Sequence, residues 1–80
     1  MLPVQCKMAR VALGLGVREL ASLAKVAPAT ISRLEAGEEL KERTIIDIRN
    51  TLEAAGVAFI DGNYAGSGGP GVRLVAKSEG

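Results

Sequence analysis

The chain has 80 residues, 48% hydrophobic and 24% charged, which is too short for two ordinary domains and too apolar for a disordered segment. Ten Lys and Arg against nine Asp and Glu leave a net charge of +1, far from the strongly basic balance that announces nucleic-acid binding by composition alone. With no histidine and Cys6 as the only cysteine, the commonest general base, a structural zinc site and an intrachain disulfide are all excluded, and no cofactor or metal is expected.

A lone cysteine fits a reducing compartment. No stretch approaches the roughly 20 apolar residues that cross a bilayer, and the first residues lack the basic-then-apolar layout of a signal peptide. A cytoplasmic protein with no membrane partner is the expectation. The charge balance does not change along the chain: residues 1–56 carry eight basic and seven acidic side chains, and residues 57–80 carry two of each. Any basic surface must therefore come from arrangement.

Glycine and proline punctuation predicts four helices, at about 4–13, 17–24, 28–36 and 44–55, with ends uncertain by two to four residues. In the first, Leu2, Cys6, Ala9 and Leu13 form one apolar stripe and Val4, Met8, Val11 and Leu15 form another. A helix apolar around so much of its circumference is expected to be covered on two sides, by the other helices and by the C-terminal segment or a second subunit. The second and third helices are joined by a tight turn, with Leu20, Ala21, Ala24, Val26, Ile31 and Leu34 as the buried candidates. Small Ala21 leaves room for two helices to cross closely.

With Ile31 and Leu34 turned inward, the opposite face of the third helix carries Ala29, Ser32, Arg33 and Ala36, with Pro28 and Thr30 near its N-terminal end. This is a small surface with one long basic donor, able to enter a major groove without steric conflict or to stand as a solvated helix face. The fourth helix is amphipathic, with Ile45, Ile48, Leu52 and Ala55 inward and Asp47, Arg49, Asn50 and Glu53 outward.

After Gly56, residues 57–60 and 72–75 read as two short strands around a long loop, 61–71, that contains five glycines and Pro70. An isolated hairpin is marginal in water, so these strands are expected to pack on the helices and to pair with a second copy. The glycine run 66–71 is not followed by Gly-Lys-Ser/Thr or by a helix, so it reads as a turn tip and not as a phosphate loop. The candidate acids Asp47, Glu53 and Asp61 make no catalytic constellation, and Cys6 lies on a core stripe, so no enzymatic activity is expected.

The strings Gly14-Leu15-Gly16-Val17-Arg18-Glu19-Leu20-Ala21 and Val26-Ala27-Pro28-Ala29-Thr30-Ile31-Ser32-Arg33-Leu34-Glu35-Ala36-Gly37 resemble the helix-turn-helix of Cro- and Xre-type transcriptional regulators, over roughly residues 5–56. The resemblance implies a mainly α fold with a four-helix, lambda-repressor-like helix-turn-helix domain over 1–56; where family members often continue with a fifth helix, this chain turns to the strand segments, read as a short C-terminal β-hairpin over 57–77 that serves dimerisation. It implies a sequence-specific regulator, such as a repressor, that binds double-stranded DNA as a homodimer, with helix 28–36 in the major groove. By position, Pro28, Ala29 and Arg33 are the base contacts, and Arg18, Thr30, Ser32, Lys41 and Arg43 the backbone or flanking contacts. Arg10 and Glu35 match an ion pair that joins the first helix to the end of the third. Val57, Phe59, Val72 and Leu74 are the expected dimer contacts.

Three departures from the family pattern bear on these expectations. Gly16 and Val17 replace the usual Ser/Thr-Gln, removing a side-chain cap. Lys25 replaces the turn glycine, so a non-glycine residue must take positive φ. The third helix has Ala27 in place of its Ser or Thr cap. Glu38, Glu39 and Glu42, beside the loop cations, oppose phosphate electrostatically. The alternative function is a protein-interaction or antitoxin-like module that has a protein partner and binds DNA weakly or not at all.

Overall fold

The computed structural model describes residues 1–60 and 69–75. Four helices, α1 (Pro3–Ala12), α2 (Val17–Ala24), α3 (Pro28–Glu35) and α4 (Glu42–Ala54), precede an antiparallel pair of strands, β1 (Val57–Ile60) and β2 (Gly71–Leu74). The fold is thus mostly helical with a two-stranded hairpin. No helix among the described residues is long and apolar enough to cross a membrane.

One core joins every element. Cys6, Ala9, Leu20, Ala21, Ile31, Leu34, Ile48, Leu52 and Val57 are buried, and Ala24, Val26, Ile45, Phe59 and Val72 pack against them. The apolar positions of α2 and α3 read from helical spacing are therefore the ones that meet. On α1 the first stripe is buried at Cys6 and Ala9, but Leu2 is exposed because it stands at the N-cap, outside the helix. On the second stripe Met8 and Leu15 are half-buried while Val4 and Val11 remain exposed.

The ends of the helices follow from backbone chemistry. At the end of α2, Lys25 has φ 59° and ψ 43°, the left-handed conformation that a glycine would take without strain. Its N–H reaches Ser22 O at 3.3 Å while Val26 N–H reaches Ala21 O at 2.9 Å, the paired reverse bonds that close a helix. At the start of α2, Gly16 has no side chain to cap with, but Glu19 Oε1 accepts from Gly16 N–H at 2.9 Å. The acidic half of a capping box survives without its hydroxyl half.

The fourth helix begins at Glu42, two residues earlier than the sequence suggests, with Lys41 as its extended N-cap. Glu42 at the first position suits the positive end of the helix dipole. Arg49, expected on the solvated face, is half-buried: it stacks over the Phe59 ring at 5.2 Å and pairs with Glu53 at 3.5 Å.

The strands pair as Val57↔Leu74, Ala58↔Arg73, Phe59↔Val72 and Ile60↔Gly71, so β2 starts one residue before the expected segment. Its junction with α1 is polar. The Gln5 side-chain amide donates to Ile60 O at 3.0 Å and to Gly71 O at 3.1 Å, and its Oε1 accepts from Leu2 N–H at 2.8 Å. One buried glutamine thus holds the start of α1 to the last paired residues of both strands. Most of the loop expected at 61–71, and the chain beyond 75, lie outside the described residues.

Candidate nucleic-acid interface

The residues that the family resemblance assigns to DNA lie on α2, α3 and the segment that leads into α4. What fixes α3 is a network at its C-terminal end. Arg10 Nε and Nη2 donate to Glu35 Oε2 and Oε1 at 2.8 and 3.0 Å, a two-pronged pair. Arg10 Nη1 also donates to Leu15 O at 3.1 Å, in the turn between α1 and α2. The two side chains are only 13% and 10% exposed, so each ion depends on the other for its solvation. The Glu35 carboxylate, by hydrogen bond and charge, holds the Arg10 guanidinium in its protonated state.

Cys6 belongs to the same cluster. Its thiol donates to Glu35 Oε2 at 3.7 Å. Burial first, and then the charge and hydrogen bond of Glu35, push the thiol up from its ordinary 9.0 to about 12. At neutral pH it is a protonated, wholly buried group that packs as a small hydrophobe.

With Ile31 and Leu34 buried, Pro28, Ala29, Ser32 and Arg33 are all exposed on the outer face of α3, and Thr30 is half-buried beside them. An open cleft of about 460 Å³ lies between α3 and the segment leading into α4, lined by Val26, Thr30, Arg33, Leu40, Lys41 and Thr44 among others. It brings together three residues assigned separately from sequence, Arg33, Thr30 and Lys41. Arg43, expected on the loop, stands instead in the first turn of α4, and Arg18 is exposed on α2 outside the cleft.

The charged side chains around α3 are only partly paired. Among the described residues, Glu38 is bound to Arg33 at 3.2 Å, while Arg18, Lys25, Lys41 and Arg43 are in no ion pair. Glu39 and Glu42 remain beside them. The Arg33–Glu38 pairing was missed by reading residues by type, since Glu38 figured only as a repulsive charge. The signal was available in the spacing: a glycine that ends a helix with paired reverse bonds brings the following residue back to the one five before it.

The four residues expected at a dimer contact are placed differently. Val57 is buried in the chain's own core, and Phe59 and Val72 pack against that core, while Leu74 is 56% exposed. Alternation along four-residue strands puts all four on one face, and the helices already cover most of it. A contact between copies through these four residues has Leu74 available, not Val57.

No model of a known protein family matches the chain, and no curated protein matches it. The functional reading rests on the motif residues and on the geometry around them.

Proposed function

We propose that this chain is a sequence-specific DNA-binding transcriptional regulator, in which α2 and α3 form a helix-turn-helix and α3 enters the major groove. The observation that carries the reading is the arrangement of α3. The helix is clamped from behind by Arg10–Glu35 and presents an outer face of small residues, Pro28, Ala29 and Ser32, around a single long donor, Arg33. Arg33 is the base-reading group, suited to a bidentate contact with guanine O6 and N7. Pro28 and Ala29 give apolar contact, Thr30 and Lys41 line the cleft beside Arg33, and Ser32, Arg43 and Arg18 are the further candidates for phosphate contacts. A homodimer places two copies of α3 in successive major grooves about 34 Å apart.

Fluorescence anisotropy across a salt series, on DNA from upstream of the chain's own gene and on scrambled DNA, tests the reading. Salt-sensitive binding that prefers the upstream DNA, with Arg33→Ala losing the preference, is the expected result. Equal weak binding to both DNAs, unchanged by Arg33→Ala, overturns it.

A second reading is a protein-interaction or antitoxin-like module. Val4 and Val11, 49% and 60% exposed on one stripe of α1, favour it. Co-purification with a neighbouring gene product, together with no DNA preference, is the outcome it requires.

A further inference from the structure

Glu38 is attached to Arg33 twice. Its backbone N–H donates to Arg33 O at 3.0 Å, and its Oε1 accepts from Arg33 Nε at 3.2 Å. The backbone bond belongs to the closure of α3: Gly37 has φ +88°, its N–H reaches Leu34 O at 3.0 Å, and the chain turns back on the last helical turn. The helix end itself thus brings the Glu38 backbone beside Arg33, with its carboxylate within reach of the guanidinium.

A guanidinium can meet guanine through two edges. One uses Nε with an Nη, and the other uses both Nη groups; its five N–H donors form a rigid fork, so using one edge fixes the direction of the other. Here Nε is occupied by Glu38, and neither Nη of Arg33 has a hydrogen-bond partner among the described residues. Both side chains are more than half exposed, and Arg33 lines the open cleft beside Lys41.

We propose that Glu38 is a positioning residue for Arg33: by holding Nε it commits the guanidinium to reading guanine through its Nη1/Nη2 edge, and so sets the discrimination at that base pair. The proposal rests on the reading of α3 as the DNA-binding helix. Glu38 touches no base in this arrangement. Its carboxylate acts against overall affinity through phosphate repulsion and in favour of specificity through Arg33.

The test starts from a randomised duplex pool of about 20 base pairs, two turns of groove. The wild-type protein selects a duplex from it, and each guanine of that duplex is then replaced in turn. Affinities for the selected and replaced duplexes are compared for wild type, Arg33→Ala, Glu38→Ala and Glu38→Gln. Glu38→Ala and Glu38→Gln both remove a charge and both bind scrambled DNA more tightly. Only Glu38→Ala is expected to lose discrimination at the guanine that Arg33→Ala identifies, by about three- to fivefold, the scale of a well-held exposed ion pair. Glu38→Gln keeps an acceptor for Nε and keeps the discrimination. Thermal melting falls by no more than a few degrees in Glu38→Ala, the share of one exposed ion pair, since the backbone closure needs no Glu38 side chain.

Unchanged or increased discrimination in Glu38→Ala, with Arg33→Ala still losing it, overturns this proposal alone and leaves Arg33 as the reader. Failure of the wild type to select any sequence, or selection indifferent to Arg33→Ala, overturns the DNA-binding reading and this proposal with it.

Discussion

Arg10 and Glu35 join α1 to the end of α3, and the loss of either is costly. Each leaves a mostly buried partner without its counter-ion, so Arg10→Ala or Glu35→Ala is expected to cost about 3 kcal/mol, read from urea denaturation. A midpoint within error of wild type in both variants contradicts the clamp. Lys25 works in the opposite direction. It sits in the left-handed region with no compensating side-chain hydrogen bond among the described residues, so Lys25→Gly is expected to stabilise by about 1 kcal/mol, whereas Lys25→Ala leaves stability near wild type. Cys6 adds a pH dependence. The folded thiol keeps its proton to about 12 while the unfolded thiol releases it near 9, so ionisation favours the unfolded chain. This contribution is complete below pH 9 and is lost as pH rises toward 12. Denaturation midpoints taken below and within that window should fall more steeply in wild type than in Cys6→Ala.

The elements differ in how they are held, and that decides which of them could be read in advance. Helices α2, α3 and α4 bury Leu20, Ala21, Ile31, Leu34, Ile48 and Leu52 at helical spacing, so their inner faces followed from periodicity. The start of α4 did not, because Lys41 and Glu42 are polar residues whose helical state is set by dipole and cap geometry. The hairpin's strands were legible from β-branched runs, but not the face they present, since Val57 and Phe59 could equally have met a second copy or the helices. The attachment of the hairpin was least legible of all. It depends on Gln5, a polar residue beside the apolar stripes of α1, whose two acceptors lie 55 and 66 residues away. Gln5→Ala removes the side-chain donor to Ile60 O and Gly71 O, which keep their partners across the paired strands, and is expected to cost about 1–3 kcal/mol, the worth of two hydrogen bonds. Hydrogen exchange should show the loss concentrated in β1 and β2, with α2 and α3 protected as in wild type. Uniform loss across the chain contradicts a local attachment.

At the scale of the whole molecule, a near-neutral chain that binds DNA has to do so through the placement of its cations. Around α3, Glu38 is tied to Arg33 and Glu35 to Arg10, while Arg18, Lys25, Lys41 and Arg43, and the acids Glu19, Glu39 and Glu42, are in no ion pair among the described residues. A dimer reading DNA in this way should protect two patches about one helical turn apart in a hydroxyl-radical footprint, and Arg33→Ala should erase both together. A single protected patch contradicts the paired geometry while leaving α3 as a reader. The outer face of α3 was legible as a candidate surface once Ile31 and Leu34 were turned inward, and the resemblance gave it a role. The cleft that joins Thr30 and Arg33 to Lys41 was not, because it depends on the path of the chain after Gly37. Titrating ¹⁵N-labelled protein with the duplex it selects, and following backbone amide shifts, shows whether this face meets DNA. The largest changes are expected at Ala29, Ser32, Arg33, Lys41 and Arg43, with Asp47, Asn50 and Glu53 on the outer face of α4 unmoved. Changes centred on Val4 and Val11 of α1, or no saturable change at all, would contradict it.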